Sequence, residues 1–103
     1  MITNFEDYSG LIKIVLDGVD MYFRLNYDEK ITPFEVELFL KDGKYGDLSI
    51  VIPESEKLNR KEFFLNPDIN AKIVNELENE NIIQKSDKES IAGDKKTNSY
   101  IIS

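Results

Sequence analysis

Two hydrophobic runs, 11–16 and 19–25, each sort on a period of two into an apolar and a mixed face, and Asp17-Gly18 separates them. An Asp-Gly pair between two hydrophobic runs is the strongest short-range signal for a two-residue type I′ hairpin turn. Pairing outward from the turn sets Leu16 opposite Val19, Ile14 opposite Met21 and Ile12 opposite Phe23, all on one face. The other face takes Val15 with Asp20, Lys13 with Tyr22 and Leu11 with Arg24, a mixed surface that tolerates water. A slip of one residue would exchange the two faces, so the sorting itself specifies the register.

Asn26 to Thr32 reads as a polar connection. Two patterns then compete over 33–41. Thr32, Pro33 and Glu35 imitate a capped helix start, with Gly43 placed to cap the far end. Against that, Phe34, Val36, Leu38 and Leu40 alternate with Glu35, Glu37 and Lys41, a period of two. The run Asp47-Leu48-Ser49-Ile50-Val51-Ile52 has the same period, and the agreement of two runs decides for a second hairpin. With a loop at Asp42-Gly43-Lys44, that hairpin sets Leu38 against Leu48, Val36 against Ile50 and Phe34 against Ile52.

Pro53 ends the strand, and Glu54 to Lys61 form a charged loop. Glu62-Phe63-Phe64-Leu65 reads as a short strand. Asn66-Pro67-Asp68 supplies an N-cap, a proline at the first helical position and an acid at the positive end of the dipole. Ile69, Ile73 and Leu77, with Val74 beside them, form one apolar helical stripe that fades near Glu80-Asn81. Gln84 to Asn98 is polar and reads as loop or partly disordered, with one helical turn at Ser86-Asp87-Lys88-Glu89. Ser99 to Ser103 reads as a short edge strand. The expected architecture is α+β: a meandering antiparallel sheet of two hairpins plus short strands, with one helix packed on a face. Residues 1–83 form one domain in this reading, and 84–103 a polar tail.

Composition narrows the chemistry more than any motif does. In 103 residues there is no histidine and no cysteine. The chain lacks an imidazole base, a thiolate nucleophile, a disulfide and a soft metal ligand. There are 20 acidic residues against 13 basic ones, for a formal net charge of −7. That balance opposes direct binding to nucleic acid or to an anionic membrane and favours basic partners. Met1 to Asp7 is acidic where a signal peptide is basic, and no apolar run approaches the roughly 18 residues of a membrane span. A cytoplasmic protein is the expectation.

Glu35 and Glu37 share the outward face of a strand, roughly 7 Å apart at ordinary strand rise. Asp47 joins them from the next strand, and Phe39 and Val51 lie on the same face. Acids mixed with apolar groups read as a surface that captures Lys or Arg side chains from a partner protein; a plain solvated sheet face is the other reading. Glu76, Glu78 and Glu80 spread around a helix end and read as solvated. Asp87 to Asp94 lacks the ligand spacing of a cation loop. No serine has a histidine to activate it, so neither an enzyme nor a cofactor is expected. Tyr22, Tyr27, Phe39 and Tyr45 lack the interleaved basic residues that base stacking requires.

Leu48 to Pro53, Glu62 to Asn66 and the helix from Ile69 to Ile83, ending Glu76-Leu77-Glu78-Asn79-Glu80-Asn81-Ile82-Ile83, resemble the uncharacterised family labelled domain of unknown function 4313. The resemblance covers Phe34 to Ile83, with Asn81 where the family tends to have glycine. Its members are small proteins of phages, plasmids and other mobile elements. The resemblance implies a mobile-element accessory protein and no particular chemistry. Acidic surface and context together point to a non-enzymatic inhibitor that blocks a basic, nucleic-acid-binding surface of a host defence protein, such as a CRISPR effector. Two alternatives stand beside it. One is a nucleotide-sequestering binder with Arg24, Arg60 or Lys61 near aromatics. The other is a self-associating module pairing through strand edges at Leu25 or Ile102.

Overall fold

Two four-stranded antiparallel sheets and one helix enclose a shared core in the computed structural model, which describes residues 11–102. Strands β1 (Ile12–Leu16) and β2 (Val19–Asn26) form the first hairpin in the register that the alternation dictates. Asp17 and Gly18 both take positive φ, 52° and 80°, as a type I′ turn requires. Ile14, Leu16 and Phe23 are buried, while Val15 and Tyr22 face out.

The second hairpin forms in a different register. β3 (Glu37–Leu40) turns at once through Lys41-Asp42 into β4 (Gly43–Asp47), pairing Glu37 with Asp47 and Leu38 with Gly46. Tyr45 is the extra residue of a bulge between Leu38 and Phe39. The apolar run expected as the partner strand leaves for the other sheet. Ser49 and Ile50 form β5 there, opposite Leu65 and Phe64 of β6 (Glu62–Leu65). Val36, Leu38 and Leu48 are fully enclosed as expected, but Phe39 and Ser49 beside them are buried as well, so burial does not alternate along either run. The pairing differs because Ser49 Oγ accepts the Val36 N–H at 2.8 Å, which fastens the crossing between sheets.

The Glu54–Lys61 region contains a 3-10 turn over Pro53–Lys57. Helix α1 runs from Ala71 to Asn79, with Asn70 as its N-cap; the Asn70 side chain accepts the Lys72 N–H at 2.9 Å. Asn66, expected in that role, is used elsewhere. Its side chain accepts from the Asp68 N–H and donates to the Asp47 carbonyl, tying the chain ahead of the helix to the end of β4. Ile73, Val74 and Leu77 face the core. At the far end Asn81 takes φ 59°, the Ile82 N–H donates to Leu77 O and the Asn81 N–H to Glu78 O. That is the Schellman pattern, in which a left-handed residue closes the helix. Asn81→Val is expected to lower stability by about 1–2 kcal/mol, the cost of a left-handed conformation for a branched side chain, whereas Asn81→Gly is tolerated. Urea midpoints of the two variants check this.

The segment expected as a polar tail is the largest correction. Ile83–Ala92 forms β7 and Lys95–Ile102 forms β8, a long hairpin turning at Gly93-Asp94. No helical turn forms at Ser86–Glu89. Those residues belong to β7, where Ser86, Asp87 and Lys88 bulge against Ser99 alone. β8 is not an edge; the order β5-β6-β8-β7 places it inside the sheet. β7 reads as loop because it is an edge strand, where charged residues ward off unwanted pairing. Leu25 and Ile102 both lie on interior strands, so neither offers the free edge expected of it.

Candidate binding site

The connection between β2 and β3 carries the chemistry that the acid pattern pointed to. β2 ends at Asn26, which is buried and donates from Nδ2 to Glu37 Oε1 at 2.9 Å. The chain then loops out through Tyr27 to Glu35. Asp28 folds the loop locally, its Oδ1 accepting the Lys30 N–H at 2.9 Å. Glu29 pairs with Arg60 at 2.5 Å, an exposed contact between the loop and the segment before β6. Tyr27 meets Phe34 edge to face at 5.5 Å, and Phe34 reaches Phe63 of the core at 6.3 Å. The Thr32-Pro33 peptide is cis.

This arrangement leaves a cleft of about 180 Å³ lined by Asn26, Tyr27, Asp28, Ile31, Glu35 and Glu37. Its volume is below the roughly 300–1,000 Å³ of typical small-molecule pockets, so it suits one side chain better than a metabolite. Three carboxylates line it, yet no group of acids among the described residues converges tightly enough to hold a metal ion. Tyr27 and Ile31 stay 39% and 55% exposed, large apolar surfaces beside the acids. Hydrogen bonds from Lys44, then from Asn26, hold the Glu37 carboxyl below the usual carboxylate range. It remains charged at neutral pH.

The sequence-predicted surface is only partly assembled. Glu35 and Glu37 share the cleft. Asp47 stands opposite Glu37, but Lys44 Nζ bridges the two at 2.8 Å each and neutralises much of that corner. Those carboxylates in turn raise the pKa of Lys44 well above a free lysine's. Phe39, expected as an exposed apolar contact, is 6% exposed and unavailable to a partner. Val51 is exposed but lies beyond β5, in the chain of the second sheet, and does not line the cleft. Tyr27, Asp28 and Ile31 were hidden in what reads as a polar connection; their signal is a pair of large apolar residues flanking acids between two strands.

A second polar cluster lies on the outer face of the β5-β6-β8-β7 sheet. Glu62 is fully buried, with Lys88 Nζ at 3.0 and 3.3 Å and the Asn59 N–H donating at 2.9 Å. Its carboxylate raises the pKa of Lys88. The basic residues Arg60 and Lys61 line a cleft of about 250 Å³ with Phe34, but Glu29 and Glu62 balance their charge there. Arg24 lines a larger open cleft of about 690 Å³ with no aromatic wall. The smaller is thus balanced in charge, and the larger, with Lys13 and Arg24 against Glu80, has no ring to stack on a base. Among the described residues no helix is long and apolar enough to cross a membrane.

Compared with protein-family models, curated proteins and solved structures, the chain finds no match.

Proposed function

We propose that this protein is a small non-enzymatic binding module that engages a basic surface of a partner protein through the β2–β3 connection. The supporting observation is the cleft itself, where the carboxylates of Asp28, Glu35 and Glu37 surround a space sized for one side chain, with Tyr27 and Ile31 exposed at its rim. An arginine fits that chemistry: its planar cation pairs with carboxylates and stacks on a tyrosine ring. The net charge of −7 steers a basic partner toward the protein, and the apolar rim slows its departure. The resemblance to a mobile-element family supports a host defence protein as the target, its nucleic-acid-binding face being the basic surface that such an acidic ligand would block.

The structure refines the choice of test. Glu37 is tied into the sheet by Asn26 and Lys44, so reversing its charge disturbs folding as well as binding. Glu35 is exposed and makes no ion pair among the described residues. Glu35→Lys is expected to weaken capture of the partner from host lysate by about tenfold at low salt, with the melting temperature unchanged. Undiminished capture by Glu35→Lys combined with Tyr27→Ala would move the binding surface elsewhere.

A further inference from the structure

The sheet edges differ in how they are protected. β4 holds a bulge and two glycines, β5 has only Ser49 and Ile50, and β7 carries a bulge flanked by charges. β1 is the regular one: its pairing with β2 has no bulge, it contains neither proline nor glycine, and its one guard is the charge of Lys13. In a two-residue hairpin Leu16 and Val19 exchange backbone hydrogen bonds, and by alternation so do Ile14 with Met21 and Ile12 with Phe23. The N–H and C=O groups of Lys13 and Val15 therefore point away from β2, and no strand among the described residues pairs with them. A trough runs beside this edge. Two clefts, of about 690 and 480 Å³, share Lys13; the helix walls the smaller through Lys72, Asn75, Glu76 and Asn79, and Arg24, Leu25, Glu80 and Ile82 wall the larger.

We propose that β1 is the seam of a homodimer, in which the same strand of a second copy pairs with it antiparallel about a two-fold axis at Val15. That register is self-complementary. Lys13 falls opposite Asp17 of the partner subunit, the turn residue just past the strand, and the symmetry repeats the pair. Val15, 49% exposed, meets its own counterpart on the outer face, while Ile14 falls opposite Leu16 of the partner subunit on the core face. Lys13 is available for this contact because its own-chain ion pair with Asp20, at 3.5 Å, is half exposed and weak. The β1–β4 sheets of the two copies join into one of eight strands, and the open edge of β1 is paired. This seam is separate from the acid-lined cleft and does not rest on it.

The test is sedimentation velocity of the full chain from low to high micromolar concentration, with amide hydrogen exchange on the same samples. A dimer is expected, and the Lys13 and Val15 amides should exchange more slowly as concentration rises. Val15→Pro removes an N–H that β2 does not use, so a folded monomer is expected by circular dichroism and sedimentation. Lys13→Glu, which sets like charges opposite each other across the seam and needs no backbone change, should weaken the dimer about tenfold and decides the matter if the proline variant does not fold. A wild-type chain monomeric throughout overturns the proposal, as does a dimer whose Lys13 and Val15 exchange is independent of concentration or whose affinity survives Lys13→Glu.

Discussion

Glu62→Ala is expected to destabilise the protein by about 3 kcal/mol, the cost of breaking a buried ion pair from one side. Glu62 is fully enclosed on β6 and collects the Asn59 N–H, the Lys88 ammonium and bonds from Ser86 and Ser99. Removing it strands those donors and frees the bulge of β7 that Lys88 holds against the sheet. Glu62→Gln keeps the shape and part of the bonding, so a smaller loss is expected. The pH dependence follows from the same bonds. Burial alone would raise the Glu62 pKa, but the Asn59, Lys88, Ser86 and Ser99 bonds outweigh it and hold the pKa below the ordinary range. A carboxyl with a depressed folded-state pKa stabilises the fold fully above its unfolded pKa. That contribution is lost as pH falls through the folded value. The wild type should therefore lose stability below the usual carboxylate range more steeply than Glu62→Gln, as measured by urea titration at a series of acidic pH values. Parallel curves would contradict the assignment.

Phe63→Ala should have the largest effect of any single apolar truncation, about 4 kcal/mol. Phe63 is 1% exposed, stacks on Tyr100 at 6.3 Å and touches Phe34 at the same distance. A domain of this size has roughly 5–15 kcal/mol of total stability, so such a loss brings it near the unfolding threshold. The consequence extends to function, because Phe63, Phe34 and Tyr27 form a chain of ring contacts from the core to the cleft. Phe63→Leu, which refills most of the volume, should recover much of the stability while leaving Phe34 and Tyr27 less firmly placed. Thermal unfolding of both variants measures the first effect; partner affinity of the leucine variant measures the second.

Much of the fold was legible where local chemistry and burial agree. Asp17-Gly18 fixed one turn geometry, and the flanking alternation admitted one register. Asn81 announced the helix end because few residues adopt a left-handed conformation. The second hairpin was misread because alternation reports which face a residue occupies and not which strand it joins. Leu48 is buried either way, and only the Ser49 hydroxyl and the Tyr45 bulge direct the chain into a new sheet. β7 was unreadable for the reason that makes it a good edge: its charges oppose association and imitate a loop. Two of the cleft's three carboxylates were visible, in Glu35 and Glu37. Tyr27, Asp28 and Ile31 were not, since a connection between strands has no periodicity to show which side chains converge.

The most direct test of the acid-lined cleft is a heteronuclear NMR titration of the isotope-labelled chain with a short arginine-rich peptide. The account predicts shift changes concentrated at Tyr27, Asp28, Ile31 and Glu35 that disappear in Glu35→Lys. Changes spread evenly over the other acids, with those at Glu76, Glu78, Asp87 and Glu89 as large as those at the cleft, would contradict it.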